Sequence, residues 1–128
     1  MKNVSVLIAE DDAELRKVLH LVLEGEGFEV MTAENGAIAL WILGHYHPDV
    51  ILTDLTMPQV DGIDLIHGVK SKAELANIPI VVMSDYGSDR LEEAAREGAA
   101  ATMEKPFGIQ SLVEMINHVL PRPDTMMH

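Results

Sequence analysis

The chain has 128 residues, 48% of them hydrophobic and 23% charged, a composition typical of one globular domain in solution. No apolar run approaches the ~20 residues of a membrane span, and the lack of cysteine excludes disulfides and thiolate metal sites. The formal charge of −12 argues against direct binding to nucleic acid. The N-terminal residues reach acidic side chains before a signal-peptide core is complete, so we expect a cytoplasmic protein.

The first part of the chain contains two predicted strand–helix pairs. The apolar run 4–9 predicts a strand, and a helical repeat follows it and can end at Gly25 or Gly27. A second apolar run, 28–33, precedes a helix expected near 37–44. The apolar stripe of the first helix is formed by Leu15, Val18, Leu19, Val22 and Leu23.

The middle of the chain repeats this alternation. Apolar runs at 49–53 and 78–84 predict two more strands, followed by helices near 63–71 and 89–97. The later of these helices is expected to be the least firmly anchored element, because it has few apolar side chains to bury. Those side chains are Leu91, Ala94 and Ala95.

The last pair consists of a weaker apolar run at 100–103 and a regular helix that Pro121 ends. The stripe of this helix is formed by Ile109, Leu112, Val113, Ile116, Val119 and Leu120. Strict alternation of strands and helices predicts an α/β fold with a parallel sheet and right-handed crossovers. We expect one domain over residues 1–121 and a short C-terminal tail over 122–128.

Polar side chains follow four of the five predicted strands. Glu10 and Asp11 follow the first, Asp54 the third, Ser84 the fourth and Lys105 the fifth. Because ligands of such folds bind at the carboxyl ends of the strands, we expect these side chains to meet at one rim. Crowded carboxylates raise one another's pKa values unless a cation compensates them, and oxygen ligands suit Mg²⁺. An aspartate in that setting can attack phosphorus and carry an acyl phosphate, with lysine and serine contacting the phosphoryl oxygens.

The sequence resembles the receiver domain of bacterial and archaeal two-component response regulators. The resemblance covers residues 4–120 and implies a flavodoxin-like, doubly wound five-stranded parallel sheet, (βα)5, in the strand order 2-1-3-4-5. The motifs that carry it are VLIAEDDAELR (6–16), DVILTDLTMPQVDG (49–62), VVMS (81–84) and EKPF (104–107).

By this resemblance, Asp54 accepts a phosphoryl group from a histidine kinase or a phosphotransfer protein, with Lys105 and Ser84 contacting that group. The protein is then a signalling switch and not an enzyme acting on other substrates. The resemblance also implies a cis peptide bond between Lys105 and Pro106 and a signal passed on through the fourth helix and fifth strand. A homodimer through the face between the fourth and fifth helices is a further partner that we consider.

The resemblance further implies an Mg²⁺ site. Asp11 and Asp54 would bind the ion through their side chains and Thr56 through its backbone carbonyl. Glu10 would act through a water molecule.

Two positions depart from the family's usual pattern. Thr102 stands where a Tyr or Phe ring normally couples the site to the partner surface, and Thr has no ring to move. Asp85 stands next to Ser84, where the family commonly has a small residue. Its carboxylate either faces the site and repels a phosphoryl donor, or points outward and caps the helix that starts near Ser88.

Other interpretations of the site remain open. A receiver fold can act as a docking module without phosphorylation, which Thr102 leaves possible. A small Mg²⁺-dependent aspartyl phosphatase would need a second aspartate two residues after Asp54, where this chain has Thr56. A nucleotide-binding module is disfavoured, because the GEG at 25–27 lacks the third glycine of the dinucleotide fingerprint.

Several remaining residues are given structural roles. Asp12 directly precedes the first helix and is expected to be its N-cap. His45 and His47 have no carboxylate nearby in sequence, so a metal role is disfavoured. Trp41 is predicted to belong to the core, together with Ile38 and Ile42.

Overall fold

The fold was analysed in a computed structural model that describes residues 3–85 and 87–121. Within these residues, five parallel strands form one sheet in the order β2-β1-β3-β4-β5, with four helices in the crossovers and a fifth after β5, which confirms the predicted fold class. The predicted tail, residues 122–128, lies outside the described residues. No helix among the described residues has both the length and the apolar character needed to cross a membrane.

The elements alternate strictly along the chain. The strands are β1 Ser5–Ala9, β2 Glu29–Ala33, β3 Val50–Asp54, β4 Ile80–Asp85 and β5 Ala101–Lys105. The helices are α1 Ala13–Gly25, α2 Gly36–Leu43, α3 Gly62–Lys70, α4 Leu91–Glu97 and α5 Ile109–Val119.

The sheet separates two apolar clusters, one on each face. The alternating side chains Leu7 and Ile51 face the cluster that α2, α3 and α4 cover, whereas Ile8 and Leu52 face the cluster under α1 and α5. The central strands β1 and β3 are buried along their whole length, because both faces are covered. This rigid centre fixes the positions of the residues at the ends of these strands.

Side-chain caps fix the starts of α1, α2 and α3. Asp12 accepts hydrogen bonds from the N–H groups of Glu14 and Leu15, at 3.0 and 3.2 Å, which confirms it as the N-cap of α1. Asn35 caps α2 in the same way, and Asp61 forms a capping box with Asp64 at the start of α3.

Four predicted core positions are wrong. Trp41, Val18 and Ile109 are 68%, 51% and 38% exposed, and Ala95 on α4 is also exposed. The α2 segment GAIALWIL is apolar on every side, so its sequence pattern does not distinguish the outer face from the inner one. On the outer face, the Trp41 ring lies 4.8 Å from the His45 ring, measured between centroids.

Candidate functional site

The rim formed by the carboxyl ends of the strands brings together most of the predicted site residues. Glu10 directly follows β1, Asp54 ends β3, Ser84 lies next to the end of β4, and Lys105 ends β5. Asp11 stands beside Glu10, before the first turn of α1. The strand order places β1 and β3 side by side at the centre of the sheet, so their terminal carboxylates are neighbours.

Three carboxylates are crowded at this rim. One oxygen each of Glu10, Asp11 and Asp54 lies within 4.8 Å of the others. Glu10 and Asp54 are 1% and 7% exposed, whereas Asp11 is open to solvent. Two buried carboxylates and one exposed carboxylate therefore surround one small volume, and all three offer oxygen ligands.

Lys105 is the cation that faces this group. Its Nζ donates hydrogen bonds to Glu10 Oε1 and to Asp54 Oδ1, both at 3.2 Å. Its side chain is 20% exposed, so these charge-assisted hydrogen bonds are largely shielded from water. One ammonium group thus balances part of the charge of three carboxylates.

The burial and the excess negative charge of this site change the pKa values of its residues. Burial, and then the nearby charge of Asp54, raises the pKa of Glu10 to about 7. Burial also raises the pKa of Asp54, although Lys105 opposes that effect. Burial would lower the pKa of Lys105, but the Asp54 and Glu10 carboxylates outweigh it and the pKa is raised. The site therefore favours added positive charge, either a proton or a metal ion.

The two carboxylate oxygens of Asp54 are not equivalent. Oδ1 accepts hydrogen bonds from the Leu55 N–H at 3.0 Å and from Lys105 Nζ at 3.2 Å. Among the described residues, no donor reaches Oδ2. Buried polar side-chain atoms without a partner are absent from this part of the chain, so Oδ2 retains contact with solvent. One oxygen is thus held in place while the other is open.

Ser84 is at the rim and, among the described residues, makes no hydrogen bond to Asp54. Its side chain is buried, and Oγ donates a hydrogen bond to the Asp85 carbonyl oxygen at 3.2 Å. Thr56 is exposed, two residues after Asp54, in the loop between β3 and α3. The bond between Lys105 and Pro106 is cis, as the resemblance implied.

The two unusual positions lie on β4 and on the edge strand β5. Asp85 is exposed and pairs in register with Lys105, which places it next to the site lysine. The alternative in which Asp85 caps the following helix is wrong, because α4 begins at Leu91 with Arg90 as its N-cap residue. Thr102 is half-buried on β5, in register with Val82.

Sequence reasoning missed two contacts that hold the site. Arg16 Nη1 donates a hydrogen bond to the Glu10 carbonyl oxygen at 2.8 Å, which ties α1 to the end of β1. Gly62 packs directly on the backbone of Asp54, since a Cβ atom at Gly62 would lie 2.7 Å from the Asp54 carbonyl oxygen. Nothing in the sequence indicated this close approach.

Fold and site together define a flavodoxin-like α/β domain with a carboxylate cluster and a lysine at the strand ends, and comparison with known proteins gives its family. The family model for the response regulator receiver domain matches residues 6–117. This chain therefore belongs to the receiver domain family of two-component response regulators, as the sequence motifs predicted.

Individual relatives cover nearly the whole chain. Sporulation initiation phosphotransferase F of Bacillus subtilis is 34% identical over 122 residues, which are 94% of this chain and 97% of the relative. Polar-differentiation response regulator DivK of Brucella ovis is 31% identical over 117 residues, or 91% and 95% of the two chains. The structure of the chemotaxis response regulator CheY4 of Vibrio cholerae superposes with a TM-score of 0.87 at 28% identity, covering 93% of this chain and 100% of that chain.

The raised pKa of Glu10 predicts how stability depends on pH. Because the folded protein holds this proton more tightly than the unfolded chain, stability is lost as the pH rises from 4.5, the ordinary value, to about 7. In the absence of divalent metal, Glu10→Gln should reduce this loss by up to about 3 kcal/mol. Urea unfolding in EDTA at about pH 5 and about pH 7.5 measures it.

Glu14→Gln is the matched control, because Glu14 is an exposed carboxylate in the first turn of α1. It should leave the pH dependence of the parent unchanged. An equally steep fall of stability in Glu10→Gln and in the parent would contradict the assignment of the raised pKa to Glu10.

Proposed function

We propose that the protein is a phosphorylation-dependent signalling switch that accepts a phosphoryl group on Asp54 with the help of Mg²⁺. The observation that carries the proposal is the asymmetry of Asp54. Its Oδ1 is fixed by Leu55 and Lys105, while its Oδ2 is open to solvent within a cluster of carboxylates. Such a group can act as a nucleophile toward phosphorus.

The proposed chemistry is an in-line transfer. Asp54 Oδ2 forms a bond to the phosphorus of a phosphohistidine on a histidine kinase or phosphotransfer protein. The bond from phosphorus to the imidazole nitrogen breaks, and its electron pair stays with the imidazole. In such transfers the protein contributes chiefly position and electrostatic stabilisation.

Lys105 and Ser84 are assigned to the transferred group. Lys105 Nζ already touches Asp54 Oδ1, so it is within reach of a phosphoryl oxygen attached to the same carboxylate. Ser84 would have to exchange its hydrogen bond to the Asp85 carbonyl for one to a phosphoryl oxygen, by rotation of its side chain. This exchange links phosphorylation to the segment that follows β4.

The residues present fit a magnesium ion. Asp11 and Asp54 would hold it through carboxylate oxygens and Thr56 through its carbonyl, with Glu10 acting through water. The support for this assignment is the charge imbalance, which raises the pKa values of Glu10 and Asp54 by burial and carboxylate repulsion. When bound, the ion would offset negative charge on the carboxylates and on the phosphoryl oxygens.

We further propose that the chain catalyses only its own phosphorylation and dephosphorylation. A phosphatase acting on other substrates lacks its second aspartate here, since that place is Thr56. A docking module without phosphorylation would have no need for a lysine shared by two buried carboxylates.

The name of the Bacillus subtilis relative, a phosphotransferase, supports a partner that exchanges phosphoryl groups. The homodimer through α4 and α5 stays a prediction.

Phosphate incorporation tests the proposal. Incubation of the parent with acetyl phosphate and Mg²⁺ should add one phosphoryl group that is stable in acid and labile in base. Asp54→Asn should abolish the incorporation, and Asp11→Asn or added EDTA should slow it by on the order of 100-fold. Intact-protein mass spectrometry measures the incorporation of the phosphoryl group. Retention of the label in acid and in base measures the stability of its bond to the protein.

Asp12→Asn serves as the control, because asparagine preserves the N-cap of α1 and Asp12 does not belong to the carboxylate cluster. It should be labelled at the parental rate. Undiminished labelling of Asp54→Asn, or no labelling of the parent, would contradict the proposal.

Asp85 is proposed to slow the approach of an anionic donor. Its exposed position beside Lys105 places a fourth carboxylate at the rim. Asp85→Ala should therefore increase the rate of labelling by acetyl phosphate by about 5-fold at low salt, and salt should reduce the difference. Equal rates for parent and variant at low ionic strength would show that the charge of Asp85 has no such effect.

A further inference from the structure

The position of α4 depends mainly on polar contacts, because the helix buries little apolar surface. Within α4, Ala94 alone is buried and Leu91 is partly buried against the cluster on that face of the sheet. Polar contacts join this region to α3 at both ends: an ion pair of Arg90 with Asp61 before the first turn, and a hydrogen bond between Glu97 and His67 in the last turn. A helix held in this way can change position at small cost, since few packed side chains must separate.

Asp61 has two partners, one for each carboxylate oxygen. Oδ1 accepts the Asp64 N–H at 3.0 Å as part of the capping box of α3, and Oδ2 accepts a hydrogen bond from Arg90 Nη2 at 3.2 Å. Burial would raise the pKa of Asp61, but the hydrogen bond from Asp64 and the Arg90 guanidinium keep it below its ordinary value. The same carboxylate therefore fixes the start of α3 and the residue before α4.

The Asp61 end of this pair is tied to the phosphoacceptor through the backbone. The Gly62 N–H donates a hydrogen bond to the Leu55 carbonyl oxygen at 2.7 Å. Gly62 also lies so close to the Asp54 carbonyl that a Cβ atom would contact it at 2.7 Å. A shift of the backbone at 54–55 is thus transmitted to the start of α3 without an intervening gap.

Arg90, the other member of the ion pair, is linked to Ser84 by hydrogen bonds between residues close in sequence. The Asp85 carbonyl oxygen accepts from Ser84 Oγ and from the Ser88 N–H, both at 3.2 Å. Ser88 Oγ in turn accepts from the Arg90 N–H, also at 3.2 Å. When Ser84 turns to a phosphoryl oxygen, as proposed above, this set loses one of its hydrogen bonds.

We infer that Asp61 and Arg90 are positioning residues whose ion pair holds α4 in the unphosphorylated arrangement and so opposes phosphorylation of Asp54. The inference rests on the proposed function. Both ends of the pair are linked to groups that change when a phosphoryl group is attached, and Thr102 provides no ring to couple them in another way. Interactions that stabilise only the unphosphorylated arrangement lower the population that is competent to react.

Labelling rates with acetyl phosphate and Mg²⁺ test the inference. Asp61→Asn retains an N-cap acceptor but loses the charge, and Arg90→Gln removes the guanidinium. Each should increase the rate of labelling by about 2- to 5-fold, the range of a partly exposed ion pair. The double variant should be no faster than either single variant, because the two changes remove the same interaction. Arg90→Lys, which keeps a cation, should return the rate toward that of the parent.

Arg96→Gln is the matched control. Arg96 lies on the same helix and contacts only Glu92 among the described carboxylates, at 4.0 Å, so its loss should leave the rate unchanged. A purely structural role of the pair would lower the unfolding temperature of the single variants without increasing their labelling rates.

The inference is overturned by unchanged or slower labelling of both single variants, by additive increases in the double variant, or by an equal increase in Arg96→Gln. A labelled parent with unchanged variants would contradict this inference alone. A parent that is not labelled at all would overturn the proposed function as well.

Discussion

The interaction on which the rest of the structure depends is the contact of one ammonium group with two buried carboxylates. Lys105 Nζ lies 3.2 Å from both Glu10 and Asp54, two buried carboxylates that would otherwise repel each other. Burying unpaired charges is costly, so the chain tolerates this arrangement only where a cation offsets it. The raised pKa of Glu10, caused first by burial and then by Asp54, shows that one lysine offsets it incompletely.

The sheet supplies the rigidity that this arrangement requires. Glu10 and Lys105 are separated by 95 positions in sequence, and Asp54 and Lys105 by 51, yet all three converge at one rim. Parallel pairing of β1 with β3, and of β4 with both β3 and β5, brings the ends of four strands to the same edge. Buried apolar side chains on both faces hold these strands, so charge repulsion at the rim is balanced by burial in the core.

Much of the fold and of the site could be predicted, because both depend on the order of apolar and polar residues within short stretches of sequence. Apolar runs followed within two residues by Asp54 or Lys105 indicate strands and their carboxyl ends, and Asp12 indicates a helix start. Trp41 was misplaced because α2 is apolar on every side, so its composition contains no information about orientation. The ion pair of Asp61 with Arg90 joins partly exposed residues 29 positions apart, and no periodicity in the sequence indicates such a contact.

The central claim is that Asp54, and no other carboxylate of the cluster, carries the phosphoryl group. Borohydride reduces an acyl phosphate to an alcohol, so a phosphorylated aspartate becomes homoserine and can be located by peptide sequencing in a mass spectrometer. After labelling of the parent with acetyl phosphate and Mg²⁺, we expect homoserine at position 54 alone, because Asp54 has an open oxygen, Oδ2, while its Oδ1 is held by Lys105. Homoserine at position 11 or 12, the corresponding alcohol of glutamate at position 10, or no homoserine at position 54 in labelled protein would contradict this assignment.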